Sequence, residues 1–338
     1  MEHEHAHRGG LLGFVEKVGL MHGHSHAVST DDALESSEKG IRTVKLSLVL
    51  LAATAAFQIV IVVISGSVAL LADTIHNFTD ALTALPLWLA FILGRRAASR
   101  RYTYGYGRSE DVAGVIIVLI IFASAVLAGY ESIVKLMDPH EIDHVEWVML
   151  AAIVGFIGNE AVAVMRIRVG KEIGSAALEA DGQHARVDGL TSLAVLVGAI
   201  GVVAGAPIAD PLIGLVITVA ILFITKDAAV LIWHRLLDAT DPELLETLEA
   251  AAQRVVEREA GAHGVTGVRL RWLGHRLQAE LMLLVDEELP TRESHRIAEE
   301  MRHELFHSMP GLGSALVHVD PWSAGGVDAH SMTEHHRP

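Results

Sequence analysis

Asp73-Thr74-Ile75-His76-Asn77-Phe78-Thr79-Asp80 sets three titratable side chains inside an apolar run that extends from Val68 to Leu93. In a helix, the i, i+3, i+7 spacing stacks Asp73, His76 and Asp80 along one stripe. The same D-x2-H-x3-D pattern returns at Asp181, His184 and Asp188, again on an apolar run. Two such stripes, facing each other across a helix bundle, would offer imidazole nitrogens and carboxylate oxygens to one divalent cation. Ionisable groups at bilayer depth are costly, so a repeated cluster of them reads as a functional site.

The surrounding chain fits a membrane setting. Of its 338 residues, 51% are hydrophobic but only 5% aromatic, so Ala, Val, Leu and Ile make up the apolar content. The mean hydropathy of +0.40 is too high for an ordinary soluble domain. A helix needs ~20 apolar residues to cross a bilayer. Six runs qualify, at 46–65, 68–93, 112–136, 147–165, 175–204 and 209–226. Two of the intervening linkers are basic: Arg95-Arg96-Ala97-Ala98-Ser99-Arg100-Arg101 with Arg108 following, and Arg166-Ile167-Arg168-Val169-Gly170-Lys171. The opposite linkers, 66–67, 138–144 and 205–207, carry no such excess. Lys and Arg gather in cytoplasmic loops, so both termini are expected on the cytoplasmic side, in the cell (inner) membrane. Six spans satisfy that orientation.

Residues 1–43 form a His-rich segment with His3, His5, His7, His22, His24 and His26, expected to be disordered and able at most to collect cations weakly. The membrane domain occupies 44–230. Beyond it, residues 240–322 read as a small soluble α+β domain. Pro242 opens a helix that runs to about Glu259, and strands follow at 265–272 and 276–285 around Gly274. A helix at 291–308 and a strand at 314–319 complete a ferredoxin-like order of elements. The tail 323–338 is expected to be disordered. The net charge of −15 argues against a nucleic-acid partner, and the absence of Cys removes thiolate ligands and cysteine nucleophiles.

His76, Asp80, His184 and Asp188 supply two nitrogens and two carboxylate oxygens, a tetrahedral set that Zn2+ accepts. Two carboxylates neutralise one divalent cation, and both ligand types must lose protons to bind it, so loading releases protons and protonation favours release. Asp73, Asp181 and Asn77 read as groups that orient an imidazole or line the access path, or simply as polar contacts between helices. Glu160, beside Asn159, sits at the end of the fourth span as an entrance residue or a helix cap. In the soluble domain, Glu280, His295, His318 and Asp320 are candidates for a further metal site. His318 and Asp320 stand two apart on a strand and so share a face. The donor set admits Co2+, Fe2+, Cd2+ or Mn2+ besides Zn2+. A membrane metalloenzyme would need an open coordination position and a general base, and none of the six apolar runs carries an H-E-x-x-H pattern, which occurs only outside them, at 3–7, 140–144 and 303–307. A non-transporting metal sensor is the other rival.

Four stretches carry a family resemblance: LADTIHNFTDALTALPLWLAF at 71–91, RYTYGYGRSEDVAG at 101–114, GSAALEADGQHARVDGLTSLAVL at 174–196 and ALVHVDPW at 315–322. Over about residues 40–322 the chain resembles the cation diffusion facilitator family of divalent-metal transporters. The resemblance implies a proton-driven exporter of Zn2+ or related ions that alternates between inward-open and outward-open states and works as a homodimer through its soluble domains. The metal would be cargo, with no prosthetic group. His76, Asp80, His184 and Asp188 fall on the family's transport site, in its zinc-preferring form. Two departures stand out. Tyr106 occupies a position where some members carry a ligand His, so no metal site is expected in that loop. Arg269 and Glu280 lie where His ligands of metal-regulated members would be, so at most a partial cytoplasmic site is expected.

Overall fold

The computed structural model describes residues 27–65, 84–137, 145–206, 208–322 and 330–336. The helices of the first part are α1 Ala27–Ser65, α2 Ala84–Gly94, α3 Arg108–Met137, α4 Val145–Ile173, α5 Ala176–Val203 and α6 Ala209–Leu236. Five of them, α1 and α3 to α6, are long and apolar enough to cross a membrane, and α2 is a shorter apolar helix. The remainder of the expected second span, with Asp73, His76, Asn77 and Asp80, lies outside the described residues.

The bundle is apolar inside and out. Ala113, Ile117, Ile121 and Ala125 of α3 pack against Ile221, Ala228 and Ile232 of α6 and against Leu87 and Phe91 of α2. Meanwhile Val63, Leu119, Ile157 and Phe223 face outward. Apolar side chains on the outer surface suit a hydrocarbon solvent, where nothing is gained by a polar exterior. Small residues let α4 and α5 approach closely. A Cβ added at Gly182 of α5 would stand 2.8 Å from the backbone nitrogen of Ile167 on α4. The two helices join through a two-residue turn, and Ser175 caps α5 by accepting from the Leu178 amide.

Several helices overrun the apolar windows. The expected basic linker Arg166–Lys171 belongs to α4, which continues to Ile173. An apolar window stops at the first charges, whereas nothing in this stretch except Gly170 opposes helix, so the last two turns are helical and charged. In the same way α6 extends to Leu236, and α1 begins at Ala27, within the segment expected to be disordered.

The C-terminal part comprises α7 Pro242–Arg258, β1 Ala262–Leu273, β2 Arg276–Asp286, α8 Thr291–Ser308 and β3 Leu312–Trp322. Asp241 caps α7 through the Glu243 amide, with Pro242 in the first turn. The sheet order is β1-β2-β3, with β1 and β2 antiparallel and β2 and β3 parallel across the α8 connection. Leu277, Ala279, Leu281, Leu283 and Val285 alternate into the core and meet Leu248 and Val255 of α7 and Ile297, Met301 and Leu305 of α8. A 3-10 helix at Ser331–His336 follows, within the tail 323–338 expected to be disordered.

The β1–β2 hairpin joins the two parts, and α1 also packs against β3. The hairpin tip enters the end of the bundle where α3, α5 and α6 meet the C-terminal domain. Gly274 (φ +62°) and Gly107 pass so closely that a Cβ on Gly107 would stand 2.8 Å from the Leu273 carbonyl oxygen. Trp272 stacks beneath the Arg235 guanidinium at 3.9 Å, and Arg235 also donates to the Gly174 carbonyl. Arg108 at the start of α3 donates to the Arg235 carbonyl and pairs with Asp238 beyond α6.

Candidate metal centre

Within α5, Asp181, His184 and Asp188 share one inward face. Their exposures are 0%, 1% and 8%. This is the stripe expected from the i, i+3, i+7 spacing, now placed in a packed bundle. His184 Nδ1 lies 3.8 Å from Asp188 Oδ1, so the two donors flank a common point one turn apart. Asn159 of α4 is buried beside this face, its Cβ 3.5 Å from the position a Cβ would take on Gly189.

Asp181 differs from its neighbours on the stripe. Its carboxylate forms an ion pair with Arg166 of α4, Nη1 to Oδ2 at 3.0 Å, with both side chains buried. Sequence reading had set Arg166 in a cytoplasmic linker, and the length of α4 brings it inside. The signal that could have found it is Asp181 itself, since a carboxylate at that depth demands a countercharge. A second cross-helix pair lies nearer the middle of α4. Glu160 accepts from Nε and Nη2 of Arg186 at 3.3 and 2.9 Å, both side chains being half-buried. Glu160 is therefore in the middle of α4, and neither caps nor ends the helix.

In the C-terminal domain, His318 and Asp320 come together with His330, whose ligand atoms all fall within 4.8 Å of one another. Asp320 Oδ1 is 3.0 Å from His318 Nε2 and 3.5 Å from His330 Nε2. His263 stacks on Trp322 close by in the sheet, with ring centroids 3.9 Å apart. Glu280 lies outside this cluster, next to Arg271 and opposite Arg269 on β1, and His295 is exposed on α8. His330 escaped the sequence reading because it belongs to no periodic element. In the loop before α3, Tyr106 packs against Tyr102 and contacts Ser99.

Similarity to known proteins follows the same division of the chain. Residues 44–230 match the cation efflux transmembrane domain, and residues 244–322 match the cytoplasmic domain of cation efflux proteins. The chain is 54% identical over 325 residues to "Probable cation efflux system protein Rv2025c" of Mycobacterium tuberculosis H37Rv, covering 96% of this chain and 97% of that protein. It is 30% identical over 267 residues to the magnetosome protein MamB of Magnetospirillum gryphiswaldense, covering 78% and 88% respectively. A buried His/Asp stripe in a multi-pass membrane bundle, carried on a chain that matches both domains of one family along most of its length, identifies it as a divalent metal cation efflux transporter of the cation diffusion facilitator family.

Proposed function

We propose that the protein exports Zn2+ from the cytoplasm in exchange for protons, by alternating access around a site formed by His76 and Asp80 of the second span and His184 and Asp188 of α5. The observation that carries this reading is the burial of His184 and Asp188 on one face of α5, 3.8 Å apart, in a bundle whose exterior is apolar. Two imidazoles and two carboxylates close a tetrahedral shell for Zn2+. With the ion bound the site is near neutral. With the ion gone, two carboxylates in a low-dielectric interior repel, and protons relieve that repulsion. Cation and protons therefore compete for the same atoms, which is the physical basis of exchange.

In this reading both termini are cytoplasmic, the protein resides in the cell (inner) membrane, and two copies associate through the cytoplasmic domains. His318 and Asp320, joined by His330, form a secondary cation site on that domain, to which Glu280 and His295 do not contribute. Asp73 and Asn77 orient the second-span ligands.

The test is flux into proteoliposomes of the full-length protein, offered Zn2+, Co2+, Fe2+, Mn2+ and Cd2+ in turn, with and without a pH gradient at clamped membrane potential. Zn2+ should move fastest and should be accelerated by an opposing proton gradient. Equal flux with and without the gradient would remove proton exchange, and faster flux of another ion would replace Zn2+ as the substrate.

A further inference from the structure

Arg166 and Asp181 are 1% and 0% exposed. Their contact is an ion pair without aligned hydrogen bonds. Among the described residues neither oxygen of Asp181 accepts one, and Nε and Nη2 of Arg166 donate none. Such a pair is a poor way to hold two helices together. Apolar side chains of similar volume would join α4 to α5 at lower cost, and Gly182 and Ile167 already provide close packing there. Unmet polar atoms at this depth call for another reason.

The position of Asp181 supplies one. It stands one turn before His184 on the face that carries His184 and Asp188. Left to itself it would add a further carboxylate beside a cation already neutralised by two, and surplus negative charge in a low-dielectric bundle would trap a divalent ion. We propose that Arg166 is a positioning residue for transport: it holds the Asp181 carboxylate away from the cation and cancels its charge, which leaves His184 and Asp188 as the ligands from α5 and keeps the cation weakly enough bound to be released. The inference rests on reading His184 and Asp188 as cation ligands, and it adds a residue from α4 that touches no cation itself.

Because the two partners carry opposite charges, removing each one leaves a different charge behind. Arg166→Gln leaves a buried carboxylate one turn from the cation, and Asp181→Asn leaves a buried guanidinium. Zn2+ affinity of the purified full-length protein, measured by competition with a chromophoric chelator, should rise at least about tenfold in Arg166→Gln and fall at least about tenfold in Asp181→Asn. Maximal Zn2+ flux in proteoliposomes should drop in Arg166→Gln, since release becomes slow. The double variant Arg166→Gln/Asp181→Asn should bind within a few-fold of wild type. A merely structural brace would move both single variants in the same direction, and that result, or no shift in either, would overturn the proposal. If Arg166→Gln does not accumulate, Asp181→Asn and the double variant decide: unchanged affinity in the first, or no recovery in the second, would equally overturn it. Asp188→Ala serves as the reference. With the cytoplasmic site disabled by Asp320→Ala in every protein compared, if it abolishes Zn2+ binding while the Arg166 and Asp181 variants fail to split, the present inference alone falls. If Asp188→Ala binds as wild type, the assignment of the ligands falls first.

Discussion

Glu110 and His275 are 165 residues apart in the chain, yet they meet as a buried pair between the membrane bundle and the cytoplasmic domain. The imidazole uses both nitrogens, Nδ1 toward Glu110 of α3 and Nε2 toward the Ser37 hydroxyl of α1 at 3.0 Å. The other oxygen of Glu110 accepts from Ser175, the cap of α5, at 3.1 Å. One side chain from the hairpin tip thus ties together three helices, and one of them carries His184 and Asp188.

Removing one partner of a buried hydrogen-bonded pair leaves the other unsatisfied, at a cost of about 1–3 kcal/mol. His275→Ala should therefore lower the unfolding free energy by about 2 kcal/mol. It should also speed proteolysis at Leu237–Asp241, between the two domains. Adding Glu110→Gln to His275→Ala should cost less than the sum of the two single changes. Additive losses would mean that the pair contributes nothing as a pair. Thermal unfolding in detergent and timed proteolysis measure both effects.

The same docking is testable without touching a charge. A Cβ on Gly107 would press against the carbonyl oxygen and Cγ of Leu273, at 2.8 and 2.9 Å, and backbone cannot yield as a flexible side chain can. Gly107→Ala should cost about 1–3 kcal/mol and loosen the hairpin tip, seen as faster amide exchange at 272–276. Gly105→Ala serves as a control, since nothing lies within 4 Å of its added Cβ, although its φ of +81° adds backbone strain. Exchange at 272–276 should be unaffected by it.

Much of this was legible before any coordinates. The D-x2-H-x3-D spacing alone places Asp181, His184 and Asp188 on one helical face, and the strand expected at 276–285 after Gly274 is β2. Hydropathy found the spans but truncated those with charged ends. For that reason Arg166 appeared to lie in a loop, when it is one of the most buried side chains in the bundle. Contacts between domains left no local trace. His275 occupies a two-residue turn between strands with no partner nearby in sequence, and only the tertiary arrangement brings Glu110 and Ser37 to it. His330 likewise reaches Asp320 from a tail without periodicity.

Acid should weaken the outer face of the cytoplasmic domain. Hydrogen bonds from Arg296 hold the Glu259 carboxyl below its ordinary value of 4.5, and hydrogen bonds from Arg254 do the same for Glu304. A carboxyl whose folded value is depressed stabilises the fold fully above its unfolded value and loses that contribution as pH falls through the folded one. The domain should thus lose stability as pH drops below about 4.5, and Arg254→Ala should shrink the part of that loss due to Glu304. Both groups sit part-buried at the domain surface and pair with solvent-exposed arginines, so the effect is small and weakens with salt. Hydrogen exchange at α7 and α8, corrected for intrinsic rates, follows it. An unchanged pH dependence in Arg254→Ala would discount the pair.

For the secondary site, His330→Ala should weaken Co2+ or Zn2+ binding at the cytoplasmic domain by about 10-fold or more, since a ligand is lost, and Asp320→Ala should weaken it further, since Asp320 faces both histidines. Cobalt absorption in the full-length protein, with the transport site disabled by Asp188→Ala, isolates this signal. Glu280→Ala and His295→Ala should leave it unchanged.

The central claim is that the paired stripes hold the transported cation, and Zn2+ uptake by proteoliposomes containing wild type, Asp80→Ala or Asp188→Ala tests it most directly. Both variants should insert and fold, as judged by gel filtration and melting, yet lose at least about 100-fold of the flux, the upper range of loss when a cation ligand or its support is removed. Flux that persists in both well-folded variants would mean that the stripes only hold the helices together and that the cation crosses elsewhere.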